Sequence, residues 1–139
     1  MIAWSEIKLF DGKKPSDKEF IREEKIQEEY DSIRSNYENK MIDYDEIVRQ
    51  EIFGNTSTSF VFQPCKYPYK LQDKIEHYIL WLNPIYEWGN DADEFVNAIL
   101  GQIMDDVSYG WFENEKEDRS VISIRHFHVF FKREIMGSL

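Results

Sequence analysis

Three histidines are the side chains in this chain best suited to chemistry, and two of them fall in the pattern His126-x-His128. They sit in SVISIRHFHVFFK, residues 120–132, which reads as one long strand rich in β-branched and aromatic residues. Side chains alternate between the two faces of a strand, so Ile122, Ile124, His126, His128 and Phe130 share one side. The third histidine, His77, lies in KIEHYILWL, residues 74–82, where Ile75, His77, Ile79 and Trp81 share a side. If these two strands are neighbours in one sheet, the three imidazoles meet.

Such a cluster suits two chemistries. Neutral imidazole is a good ligand for Zn²⁺ or Fe²⁺, and HxH on a strand aims two rings the same way, leaving His77 as the third ligand. Alternatively His77, His126 and His128 serve as catalytic acid and base, because imidazole titrates near neutral pH. Arg125, Lys66 and Lys132 could then supply positive charge to an anionic substrate, although Arg125 faces away from His126 on a regular strand. Position 130 is Phe130, so the pattern of three alternating histidines is absent. Cys65 could act as a nucleophile beside a histidine, but no motif surrounds it. The plainer alternative is that each histidine is a core residue satisfied by a hydrogen bond.

A second group, Tyr67, Tyr69, Trp81, Tyr86 and Trp88, is concentrated in the middle of the chain. These rings could stack on a substrate, or form core and rim. Nothing resembles a phosphate-binding loop or a dinucleotide fingerprint.

The elements that must position these residues follow from pattern. Trp4, Ile7 and Leu9 suggest an irregular arm or brief strand, and Asp11-Gly12 signals a turn. Ser16 and Glu19 form a capping box for a helix over 17–39, whose thin stripe is Ile26, Tyr30, Ile33 and Tyr37. Asp43 caps a second helix over 44–53, with Glu46 completing its box. A short strand follows at 59–62, then the strand over 74–82. Asn90 or Asp91 caps a helix over 91–107, Glu94 fitting the box from Asp91, and it has the broadest apolar stripe in the chain, which should lie flat on the sheet. Short strands near 8–10 or 111–113 could widen that sheet. The fold class expected is α+β: a single domain with a small, mainly antiparallel sheet packed against helices.

Composition narrows the setting. The chain has 139 residues, enough for one domain with its own core. Its 27 acidic against 17 basic residues give a net charge of −10, which disfavours nonspecific binding to nucleic acid or to an anionic membrane. One cysteine permits no intrachain disulfide, no signal peptide opens the chain, and no apolar run could span a membrane. These features indicate a cytoplasmic protein. Its expected partners are a small anionic or polar ligand, or else a protein partner or second copy.

The words Tyr67-Pro68-Tyr69 with Leu71, then Ile75-Glu76-His77-Tyr78-Ile79-Leu80-Trp81, then His126-Phe127-His128-Val129-Phe130 resemble the DUF3605 family. That family is found chiefly in fungi and includes proteins labelled N-acetylglucosamine-induced protein 1-like. The resemblance spans about residues 60–131, following a helical part at about 16–53. It implies that His77, His126 and His128 are recurrent polar residues of one site. Tyr67, Tyr69, Trp81, Glu76 and Asn83 are implied secondary members. It carries no established activity. Two functions follow as expectations: hydrolysis of a small phosphate-containing or other polar ester in a histidine-lined pocket, or a non-catalytic role in protein interaction or structure. Arg125 joins Tyr67, Tyr69 and Trp81 as the expected substrate-binding set.

Overall fold

A computed structural model describes residues 2–7, 10–13, 20–89, 92–105, 107–114 and 124–132. Its elements are α1 (Trp4–Ile7), β1 (Asp11–Lys13), α2 (Glu24–Asn39), α3 (Tyr44–Ile52), β2 (Phe60–Pro64), β3 (Ile75–Leu82), α4 (Ala92–Ile103), β4 (Tyr109–Glu113) and β5 (His126–Lys132). The strands form one sheet in the order β1-β4-β5-β3-β2. Four strands, β4, β5, β3 and β2, run antiparallel to their neighbours, and β1 adds a short parallel edge to β4. This is the α+β fold expected, with β3 and β5 adjacent.

The sheet is covered on both sides, which explains why β5 is buried at every position but Lys132. On one side α4 lays Ala92, Val96 and Leu100 over Leu80, Leu82, Phe127, Val129 and Phe131. Full burial of one such Phe or Leu is worth about 2 kcal/mol. The opposite side carries the histidines. There α3 and the loop after it bring Val48 and Phe53 against Ile124, Trp81 and Val61. Beside them the N-terminal arm packs Ile2, Ile7 and Phe10 on Tyr69, Phe112 and Phe130.

Several local expectations change. Residues 4–7 form a helical turn rather than a strand. Asp11-Gly12 is not a turn: it pairs with Trp111 and Phe112 as part of β1. Gly12 has φ +87°, and a Cβ there would approach the Trp111 ring to 3.3 Å, so glycine suits the position twice over. The first long helix starts at Glu24 rather than at residue 17, since residues 20–23 are not helical, and Glu23 offers no side-chain cap. The expected box at Ser16 and Glu19 lies outside the described residues, as do residues 8 and 9, Asn90, Asp91 and residues 115–123. Asp43 does cap α3, accepting from the Asp45 N–H at 3.0 Å. Glu46 instead turns to Arg49 and Gln50.

Candidate functional site

The register of β3 and β5 sets the histidines diagonally. His77 lies opposite Phe130, Ile79 opposite His128, and Trp81 opposite His126. All six side chains therefore share the face beneath α3 and the arm. Each histidine is about 95% buried (His77 6%, His126 6% and His128 5% exposed). The three rings do come together: His77 and His128 have centroids 5.1 Å apart, and His126 and His128 5.8 Å apart.

Their hydrogen bonds dictate their protonation. The Tyr69 amide N–H donates to His77 Nδ1 at 3.2 Å. That nitrogen must therefore hold a lone pair, and Nε2 carries the hydrogen. His77 Nε2 lies 2.9 Å from His128 Nδ1, which must accept. The hydrogen of His128 is then on Nε2, 3.1 Å from Nδ2 of Asn114 as placed. Two donors would meet there, so this order calls for a half-turn of the Asn114 amide that presents Oδ1 to His128. Asn114 is also hydrogen-bonded to the Tyr69 side chain. The chain closes on itself: Tyr69 to His77 to His128 to Asn114 and back to Tyr69.

Both imidazoles in this ring are neutral. Burial, helped by the nearby Arg22 charge, pushes the His77 pKa down to about 3. Aromatic faces enclose the pair, with Tyr69 stacked on both rings, Phe130 on His77 and Phe112 on His128. Among the described residues no group of three or more His, Cys, Asp or Glu is placed to hold a metal ion. The local reason is that all four nitrogens of His77 and His128 are in hydrogen bonds. A shared ion would have to displace them.

His126 is set differently. Its Nδ1 lies 3.0 Å from the Ile124 carbonyl oxygen, so Nδ1–H donates. Trp81 stacks on its ring at 4.7 Å. His126, His128 and Trp81 line a cavity of about 150 Å³ between the sheet and α2–α3, and His77 is not part of that lining. From the helices come Tyr30, Tyr37 and Tyr44, and from the segment after β2 come Cys65, Lys66 and Tyr67. Burial holds two of these groups protonated, raising the Tyr44 hydroxyl to about 12 and the Cys65 thiol to about 11. Cys65 is thus no ready nucleophile.

The other expected site residues separate by position. Tyr67 lines the cavity, while Tyr69 lies within the hydrogen-bonded ring. Arg125 is bound elsewhere: Nε and NH2 grip Glu113 at 3.0 and 2.8 Å, and NH1 donates to the Gly89 carbonyl at 2.9 Å. Its guanidinium lies over Phe127, on the α4 side. Asn83 secures a loop, donating to the Thr56 and Thr58 carbonyls and accepting from Ile85 N–H. Two contributors had no sequence signal. Arg22 lies in the cavity lining, its Nε donating to the Tyr67 carbonyl at 2.7 Å, and Asn114 completes the hydrogen-bonded ring.

A family model described as "Protein of unknown function (DUF3605)" matches residues 1–132. The chain belongs to this family. The DUF3605 match takes in the arm, α2 and α3, and these are the elements that roof the histidine face. No curated protein matches the chain. A solved structure described as "Crystal Structure of HTC1" is similar, with a TM-score of 0.61 at 17% identity, covering 83% of this chain and 77% of that one. At that identity the likeness shows a shared fold. Among the described residues no helix is long and apolar enough to cross a membrane.

Proposed function

We propose that this DUF3605 protein binds a small organic ligand in the cavity beneath α2 and α3. His126 is the imidazole that meets the ligand, and the His77–His128 pair is its scaffold. One contrast carries this reading: His126 lines the cavity with its Nδ1–H held by the Ile124 carbonyl, while His77 is neutral and outside the lining. A polar group held in one orientation beside aromatic walls is what a small-molecule site requires. The test is a fragment screen followed through the ¹⁵N signals of the histidine rings. Binding should shift His126 and leave the His77 tautomer unchanged. If no fragment moves His126 or the neighbouring Trp81, the reading fails.

A second reading is hydrolysis of a small phosphate-containing or other polar ester. The Ile124 carbonyl on Nδ1–H favours it, because it orients His126 in the way a general base is oriented. In this reading water attacks the ester as its proton passes to His126 Nε2, the ester bond breaks, and the imidazolium returns that proton to the departing alkoxide, releasing the alcohol and restoring the neutral ring. Turnover of p-nitrophenyl phosphate or acetate that disappears in His126→Gln supports hydrolysis. Its absence in wild type, or its survival in the variant, rejects it. A zinc or iron centre on His77, His126 and His128 would require the His77–His128 hydrogen bond to open. Elemental analysis of tag-free protein reads that directly.

A further inference from the structure

We infer that the cavity ligand is a compact planar carboxylate, about one aromatic ring in size, whose carboxylate pairs with Arg22. This rests on the small-ligand reading above and adds the ligand's chemical class.

The first argument is charge. In a chain with net charge −10, Arg22 has no carboxylate partner among the described residues, whereas Arg49 is paired with Glu46 and Arg125 with Glu113. Arg22 is nonetheless held in place. Nε donates to the Tyr67 carbonyl and NH1 to Gln27 Oε1 at 3.3 Å. Its Cζ lies 4.4 Å from the Tyr30 ring centre and 5.1 Å from that of Tyr69. NH2 has no hydrogen-bond partner among the described residues. A fixed, half-buried guanidinium lacking a counter-ion is suited to a carboxylate. Lys66 also lines the cavity and has no carboxylate partner among the described residues. The exposed Glu51 is the one acid in the lining, so with histidines counted neutral the cavity is positive by one charge.

The second argument is size and shape. A volume of about 150 Å³ matches a protein cavity that accepts benzene and is too small for a nucleotide. Tyr30, Tyr37, Tyr44, Tyr67 and Trp81 give the lining flat aromatic surfaces. Trp81 also carries a buried indole N–H with no acceptor among the described residues.

The experiment titrates the intact protein with benzoate, benzyl alcohol and inorganic phosphate, reading affinity by calorimetry and location by the Trp81 and His126 ¹⁵N signals. Benzoate should bind at the cavity, with benzyl alcohol about tenfold weaker. Arg22→Gln should remove that difference, and Arg22→Lys should restore part of it. If Arg22→Gln does not fold, the salt dependence of benzoate affinity against that of benzyl alcohol in wild type takes its place. Equal binding of both ring compounds, or benzoate binding unaltered by Arg22→Gln or by salt, overturns the carboxylate assignment and leaves the cavity reading standing. Phosphate binding that matches benzoate in strength and in dependence on Arg22 overturns the aromatic class. Failure of both ring compounds to move Trp81 or His126 overturns this inference, and silence across the wider fragment screen overturns the cavity reading itself.

Discussion

His77 Nε2 and His128 Nδ1 lie 2.9 Å apart across β3 and β5, although neither residue is the other's register partner. The bond is diagonal, and its direction is imposed from outside the pair by the Tyr69 amide. Because a neutral ring is required at each end, acid should attack the fold here. The folded-state pKa of His77 is depressed to about 3, below the value near 6.5 of an unfolded chain. The unfolded state therefore binds more protons between those values. The stabilising contribution is complete above about pH 6.5 and is lost as pH falls toward 3, at up to about 1.4 kcal/mol per pH unit. Urea unfolding from pH 8 to 4 should show this decline, and His77→Gln should flatten it. A midpoint independent of pH in that range would contradict the neutral relay.

The two rings should also be coupled energetically. His77→Phe or His128→Phe alone leaves a buried polar group without its partner and should cost about 2 kcal/mol. The double replacement should cost less than the sum, with a coupling of about 1 kcal/mol in a double-mutant cycle. Simple additivity would mean that the bond contributes nothing to stability.

Gly110→Ala should undock the N-terminal arm. A Cβ at this position would collide with the Ile7 carbonyl and crowd Phe10. Destabilisation of about 3 kcal/mol is expected, together with faster hydrogen exchange at the amides of β1. Unchanged exchange there would show that the arm is not seated against β4.

Arg125 should prove a structural residue. Its two-pronged pair with Glu113 is partly exposed, so Arg125→Ala should cost only about 1 kcal/mol. Arg125→Lys should recover just part of that loss, because an ammonium cannot engage both carboxylate oxygens and the Gly89 carbonyl in the same geometry. Neither change should move the His126 ring signals. A shift of those signals in Arg125→Lys would place Arg125 with the cavity after all.

Cys65 should react slowly with a thiol reagent in the native protein. With its thiol raised to about 11, about one molecule in ten thousand carries the thiolate at pH 7. Rapid labelling without denaturant would contradict that environment.

What could be read from the chain was whatever repeats locally. Alternation placed His77, Ile79 and Trp81 on one face of β3 and His126, His128 and Phe130 on one face of β5, and the register keeps these faces together. The apolar period of α4 was equally plain, because one helix face repeats every three or four residues. Strand β1 was not legible, since Asp-Gly-Lys has no strand preference and gains its pairing from residues about a hundred positions away. Arg22 and Asn114 were missed for the same reason. Arg22 reaches the carbonyl of Tyr67 and Asn114 reaches the ring of His128, and no local pattern announces either contact. Nor did periodicity distinguish a histidine locked to its neighbour from one lining a cavity.

The place of β5 bears on how the molecule is made. This late segment occupies the middle of the sheet, joining β3 and β2 on one side to β4 and β1 on the other. During synthesis everything before residue 126 can form only two separate flanks, each with an open edge. The hydrogen-bonded ring cannot close until His128 arrives, by which time Tyr69 and His77 have long been waiting. Of the five strands the central one is thus made last, and exposed strand edges before that moment are where a chaperone would have cause to attend.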